Sequence, residues 1–405
     1  MSATRPFGRG ATLLFAVACG VAVGNVYLPQ PLLALMAADL RVSPAHAGLV
    51  ATLTQFGYAA GILLLVPLGD LVRPRRLVTI LMAATTAGLV IAAVAPALGV
   101  LAVAATLIGI LTVAPQILVP LAGHLAPPGQ AGRAVGTLVT GLIAGIFGSR
   151  LLGSLLAQAT SWRLVYAAAA VLTLLAGVLL RPALPEEPIG RGSYPRALAG
   201  LPGLLRRQAA LRQACLVQFC SFAVFSGTWT VLALYVTGPR FGWSTGTAGL
   251  FGLVGLAAGA LTPIAGHRTD RHGPLAVTAA AVLASVVGVV VLTVAGTGPI
   301  GLVAGTFAVT VGMQSAQIAN QARIFADRPD ARSQVNTLYM TAAFLGGSLG
   351  SAAGTTLYNH HGWGGVCAAN AVFVTVALAG HLLTLYRTAR DKRDRKFVRS
   401  NVSRG

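Results

Sequence analysis

Apolar runs of about twenty residues, separated by short polar connectors, fill most of the 405-residue chain. A helix needs about 20 mostly apolar residues to cross a bilayer. The pattern predicts twelve such spans, at 11–36, 47–69, 77–97, 99–122, 134–158, 163–181, 214–237, 246–266, 275–296, 300–322, 335–358 and 364–386. Short connectors make consecutive helices antiparallel neighbours. Frequent Gly and Ala suit close helix packing, and in lipid a closed helix satisfies its own backbone. The expected fold class is therefore an all-α membrane protein. One connector is long: residues 182–213 are polar, basic and rich in Pro and Gly. It divides the chain into an N-terminal six-helix bundle (1–181), a cytoplasmic linker (182–213), a C-terminal six-helix bundle (214–387) and a basic cytoplasmic tail (388–405).

Composition sharpens this reading. Hydrophobic types make up 55% and charged types 9% of the chain, with a mean hydropathy of +0.77. That is too little charge to coat a water-soluble protein of this size, against a globular norm near 25%. A cytosolic enzyme, a disordered chain and a disulfide-stapled module are excluded. The net charge of +20 comes from Arg clustered in connectors, not from a basic soluble face, so nucleic acid is not the partner. If the N-terminal side is inside, the inside segments hold 25 basic residues and the outside segments three, Arg41, Arg163 and Arg240. That asymmetry predicts both termini in the cytoplasm. The Arg-over-Lys bias, with much Ala and Gly, hints at a GC-rich bacterium and hence its inner membrane. Trp162, Trp243 and Trp363 fall in outer connectors, where interfacial indoles belong; Trp229 lies mid-helix. Arg5 and Arg9 precede an apolar stretch too long for a signal peptide, which reads as the first span. Cys19, Cys215, Cys220 and Cys367 read as small buried apolar residues, and no metal or cofactor site is expected.

The two halves repeat. GILLLVPLGDLVRPRRL at the end of span 2 corresponds to GALTPIAGHRTDRHGPL at the end of span 8, and aligns Asp70 with Asp270. GRAVGTL and ARSQVNTL open spans 5 and 11 at the same shift, and PQI at Pro115–Ile117 echoes AQI at Ala316–Ile318. Parallel six-helix repeats about an axis along the membrane normal are the plan of one large transporter class.

On these residues the chain resembles the major facilitator superfamily, whose signature between helices 2 and 3 is G-x-L-a-D-R-x-G-R-K. The second copy here keeps Gly266, Asp270, Arg271 and Gly273; the first keeps Asp70, Arg75 and Arg76 but departs at Val66, Leu71 and Arg73. NVYLPQPLL (Asn25 to Leu33) is similar to the N-x-Y-x-x-Q-P stretch of a bacterial subgroup of predicted efflux permeases. The Gly-rich fifth span resembles the fifth-helix motif of antiporters without its Gly-Pro core, and span 4 lacks the embedded Arg of many drug/proton antiporters. The resemblance implies the major facilitator fold, twelve transmembrane helices in two pseudo-symmetric six-helix bundles, acting as a monomer.

Candidate sites follow. Asp70 with Arg75 and Arg76, and Asp270 with Arg271, can form a latch at helix ends or remain solvated surface charges. Arg150, deep in span 5, costs about 2.5–3.5 kcal/mol on insertion scales, so it should face the bundle interior or a wet cavity. It is read either as a strut to Asp39 or to backbone carbonyls, as a contact for an anionic substrate or a gate, or as snorkelling outward. The resemblance makes helices 1, 4, 7 and 10 the lining of the path. There stand Asn25, Tyr27 and Gln30; Gln116; Trp229; and Gln314, Gln317 and Gln321, the last three on one helical face. Such groups suit an amphiphilic small molecule; the plainer alternative is interhelical hydrogen bonding. Pro29, Pro31, Pro115 and Pro120 interrupt spans 1 and 4.

The expected function is secondary transport, not enzymology: export of a small organic molecule by alternating access, driven by an ion gradient, protons by family likeness. Import by symport is the alternative direction. A non-transporting sensor or scaffold is the alternative class, and would leave Gln314, Gln317 and Trp229 packed against neighbours. No mid-helix Asp or Glu identifies the coupling group.

Overall fold

The computed structural model of the protein describes residues 8–127, 129–186, 193–327 and 331–402, with the side chains of Asp70 and of 391–402 left out. The described residues are overwhelmingly helical and include no strand. Ten apolar helices are long enough to span a membrane: α1 (Arg9–Asp39), α2 (Pro44–Gly69), α3 (Pro74–Ala93), α4 (Leu98–Leu125), α5 (Ala131–Ala159), α6 (Trp162–Ala183), α7 (Ala209–Thr237), α8 (Thr245–His272), α9 (Pro274–Val294) and α10 (Pro299–Asp327). An eleventh stretch, Arg332–Val402, is broken at Gly362, whose φ of 60° and ψ of −153° leave helical space. It therefore supplies two spans, α11 (332–361) and α12 (363–402). Only a residue without a Cβ takes that left-handed φ at little cost, so glycine sets the turn between them.

Proline explains other interruptions. In α1 the helix stops at Tyr27, passes through a 3-10 turn at Gln30–Leu32 and resumes at Leu33. Pro29 and Pro31 lack the N–H that would continue the ladder. In α4, Pro115 opens the second segment, Ala114–Leu125, as an N-terminal residue. The α8 helix is divided into three pieces, and Pro263 opens the last of them, Thr262–His272.

The helices assemble as two six-helix bundles with equivalent packing. In the first, α1 lies against α5, α2 against α4 and α3 against α6; in the second, α7 lies against α11, α8 against α10 and α9 against α12. The bundles meet through α2 with α11 and through α5 with α8. Large apolar side chains such as Leu152, Val178, Leu283 and Ile300 stay exposed on the outer surface. Such a surface in water would aggregate; in a bilayer it faces hydrocarbon.

The long connector contains a helix that its Pro/Gly content did not announce: Tyr194–Arg207, with Pro195 in its first turn, and Tyr194 Oη donates to Leu64 O at 2.7 Å. One expectation needs correction. Trp162 and Trp363 are not free interfacial rings but buried. Trp162 Nε1 donates to Asp39 Oδ2 at 3.1 Å, and Trp363 Nε1 donates to Leu292 O at 3.0 Å while its ring stacks on Tyr235 at 4.4 Å. The broad indole finds more apolar contact inside the bundle end than at its edge, once a partner satisfies its N–H.

Candidate functional site

The chain's N-terminal end, the connector helix and the end of α12 share one face, here termed basic. The opposite face, carrying Asp39, Trp162 and Trp243, is termed distal. From the distal face to mid-depth the bundles are sealed together. Gln158 Oε1 accepts from the Gly246 backbone N–H at 2.6 Å. Thr52 Oγ1 donates to Ser351 Oγ at 3.2 Å, and Ser348 Oγ donates to Thr52 O at 3.1 Å. Deeper, Ser226 Oγ donates to Gln55 Oε1 at 2.9 Å, and Tyr58 meets Phe344 edge-on at 4.4 Å. Along α5 and α8 the approach is so close that a Cβ at Gly255 would stand 2.0 Å from Phe147 Cδ1. Gly255 thus holds open the space that the Phe147 ring occupies.

At mid-depth in this seam sits Arg150, 3% exposed. Its Nε and Nη2 both donate to Gln30 Oε1, at 3.0 and 2.6 Å, and Nη1 donates to Ile146 O at 2.7 Å. Gln30 in turn donates through Nε2 to Thr230 Oγ1 on α7 at 3.1 Å, a pair 200 residues apart in the chain. The bond joins the first bundle to the second at mid-depth. Four aromatic rings surround the guanidinium: Tyr27 and Trp229 at 4.6 Å, Phe147 at 5.2 Å and Phe225 at 5.7 Å from Cζ to centroid. Delocalised charge over ring faces is favourable, and more so away from water.

Of the two partners offered for a strut, Asp39 is not the one Arg150 meets; the backbone carbonyl is, as Ile146 O, with Gln30 in addition. Asp39 lies at the distal end of α1, where it forms an ion pair with Arg163 and accepts from Trp162. Arg163 also donates to Ala95 O at 3.0 Å and lies over the Trp162 ring. This distal cluster ties α1 to α6 within one bundle.

The remaining path candidates divide. Asn25 Nδ2 donates to Thr173 on α6 at 3.0 Å, so it is spent inside the first bundle. Trp229 is packed at 3% exposure, with Nε1 donating to Thr310 Oγ1 at 3.1 Å. Gln116, Gln314, Gln317 and Gln321 are partly exposed on the basic side of the seam. Gln116 Nε2 donates to Tyr58 Oη at 3.3 Å, and Gln314 Oε1 accepts from Thr262 Oγ1 at 3.2 Å. Gln314 Nε2 has no partner. Gln321 Nε2 donates to Asn336 Oδ1 at 3.1 Å, and Gln317 lies at 3.5 Å from Gln218. Gln218 also accepts from the buried Tyr339 Oη at 2.9 Å. Gln55, Tyr58, Phe147, Phe225 and Thr230 were missed by sequence reasoning. Their signal was present, in Phe147 three residues before Arg150 and Phe225 four before Trp229, which places each pair on one helical face.

Among the described residues the second copy of the motif forms no paired latch. Arg75 meets Glu186 from the long connector. The side chain of Asp70 lies outside the described residues. Asp270 and Arg271 are both exposed, and no ion pair of Asp270 exists among the described residues. The reason is local: α8 stays helical through His272, so consecutive residues point in different directions into solvent. Arg76 lines a groove of about 550 Å³ with Arg73, Arg75, Arg181 and Glu186.

Comparison with known proteins agrees with this architecture. The chain is 38% identical over 390 residues to a probable transporter of Streptomyces coelicolor, covering 95% of this chain and 90% of that one. It is 36% identical over 367 residues to the uncharacterized transporter YgaY of Escherichia coli O157:H7, covering 90% and 93%. Among solved structures it superposes on a bacterial homolog of the human lysosomal transporter Spinster, in an inward-facing and occupied conformation. The TM-score is 0.74 at 14% identity, over 94% of this chain and 97% of that one. A POT family transporter in complex with 5-aminolevulinic acid gives 0.74 at 12% identity, over 94% and 96%. The Major Facilitator Superfamily model matches residues 14–326 and 214–403. This chain, a multi-pass membrane transporter and not an enzyme, belongs to the Major Facilitator Superfamily.

Proposed function

We propose that the protein exports a small organic molecule across a bacterial inner membrane by alternating access, with protons as the driving ion. The carrying observation is the contrast along the bundle interface. It is sealed by side chains of both bundles from the distal face to Tyr58, while four glutamines remain partly accessible toward the basic face. That pattern fits a carrier caught open toward the basic face. The clustered Arg residues support placing that face, with both termini, in the cytoplasm. The units that rock are residues 1–181 and 214–387, joined by 182–213, and one chain suffices. Export and proton use are supported by the likeness of the Asn25–Gln30 stretch and of the Gly-rich α5 to efflux carriers.

A cross-link across the seam tests this reading. In a Thr52→Cys, Ser351→Cys variant, oxidation should join α2 to α11 and hold the distal face shut. Flux of a compound panel into everted vesicles under a proton gradient should cease on oxidation and return with dithiothreitol. Undiminished flux through the oxidised protein refutes alternating access at this seam. Flux that ignores the gradient refutes proton driving, and uptake into right-side-out cells reverses the direction.

A further inference from the structure

We propose that Arg150 is the receptor for an anionic group, a carboxylate by its geometry, on the transported molecule, and that Gln30 occupies the receptor when it is empty. This deepens the transport reading and rests on it. The argument begins with charge. A buried guanidinium with no counter-charge is costly to keep, and is retained where an anion pays for it in another state. Among the described residues the ion pairs are Arg75 with Glu186 and Arg163 with Asp39. Neither reaches Arg150, whose acceptors are a neutral amide and a carbonyl of its own helix.

Geometry supplies the class of ligand. The Nε and Nη2 hydrogens form a two-pronged edge that matches the paired oxygens of a carboxylate. Here both converge on the single oxygen of Gln30, at 3.0 and 2.6 Å. One neutral oxygen fills a place shaped for two charged ones. The surroundings are aromatic, so the body attached to the anion is apolar or aromatic: Tyr27, Phe147, Phe225 and Trp229 all lie within 6 Å of the guanidinium carbon.

Access is coupled to the conformational cycle. The gap beside Gln30, Arg150 and Trp229 is about 10 Å³, room for no organic ligand in this form. Phe225, Trp229 and Thr230 belong to the second bundle, whereas Tyr27, Gln30, Phe147 and Arg150 belong to the first. Parting of the bundles therefore removes half of the cage and breaks the Gln30–Thr230 bond, leaving Gln30 free to yield its place.

The test uses the purified full chain in nanodiscs, with 2-naphthoate, 2-naphthalenesulfonate and the neutral 2-naphthamide as probes. Binding is read by tryptophan fluorescence and by thermal stabilisation. Naphthoate should bind about tenfold more tightly than naphthamide, the ratio expected from one charge-assisted hydrogen-bonded contact. Arg150→Gln should bring that ratio to one, and Arg150→Lys should retain part of it. Gln30→Glu places a carboxylate on Arg150 permanently; it should raise the melting temperature and abolish naphthoate binding. That variant also keeps the proposal testable if Arg150→Gln fails to fold. The proposal is overturned if naphthoate does not bind, if acid and amide bind equally, or if the ratio survives in Arg150→Gln. Undiminished naphthoate binding by Gln30→Glu overturns it as well. Preference for sulfonate over carboxylate overturns the geometric assignment. Equal binding of acid and amide alongside gradient-driven flux would end this inference and leave the transport reading standing; flux undiminished through the oxidised seam would end the transport reading at that seam, and the conformational access argued here with it, whatever the binding ratio.

Discussion

Arg150 on α5 and Ser351 on α11 stand at matching places in the two bundles: each is one residue past a point where its helix closes onto its neighbour, Ser149 at Gly24 of α1 and Gly350 at Ala223 of α7. A Cβ at Gly350 would lie 2.1 Å from Ala223 O, and one at Gly24 would lie 3.2 Å from Ser149 Cβ. Both residues are buried and reach into the seam, Ser351 to accept from Thr52 Oγ1 and Arg150 to donate to Gln30 Oε1. The comparison teaches that the repeat conserves how helices pack and leaves chemistry free to diverge. Two near-equivalent bundles thus place one charge beside their common axis, where a symmetric pair of guanidinium groups would repel.

The largest expected effect comes from closing the gap in the second bundle. Gly350→Leu forces side-chain atoms onto the α7 backbone and should cost about 3 kcal/mol or more. A lowered melting temperature and loss of monodispersity would show it; an unchanged melt would mean that position 350 is not a closure point. Next is Arg150→Ala, which makes the two positions alike in lacking charge. It should reduce flux about tenfold or more, since a hydrogen bond to a charged group is worth about 1.5–3 kcal/mol. Full flux at normal expression would show that the asymmetry has no bearing on transport. Thr230→Val severs only the bond from Gln30 that links the bundles beside Arg150. An interhelical hydrogen bond in a membrane protein averages about 0.6 kcal/mol, so a small fall in stability measured by steric trapping is expected. A loss of several times that size would make Gln30–Thr230 a principal tie between the bundles. The smallest effect belongs to Asp270→Asn. The group is exposed and unpaired among the described residues, so stability should move by less than about 0.5 kcal/mol. A larger drop would indicate a hidden role for the repeat motif on the basic face.

Much of the fold was legible because lipid imposes a simple rule on sequence. Spans 134–158, 214–237 and 300–322 are all present, though as longer helices: Ala131–Ala159, Ala209–Thr237 and Pro299–Asp327. The extra residues set charges at Arg133, Arg212, Arg323 and Asp327 among small and apolar neighbours, so averaged hydropathy falls there although the helix continues. The connector helix at Tyr194–Arg207 was hidden by Pro195, Pro202 and glycines, which read as loop although one proline sits harmlessly in the first turn. Proline marked the break in α1 and, at Pro115, that in α4, but Pro120 lies inside the continuous helix Ala114–Leu125 and interrupts nothing, and the break near Leu250 in α8 follows no proline.

By itself the sequence established twelve apolar spans, their duplication and the membership in one fold, because the bilayer filters by length and polarity and both are local properties. It also marked Arg150 as a charge in need of company. Only the tertiary structure decided which company: Gln30 and four rings, not Asp39. That choice depends on the depth and rotation at which helices far apart in the chain come to face one another, and neither quantity is encoded in the hydropathy of any single segment.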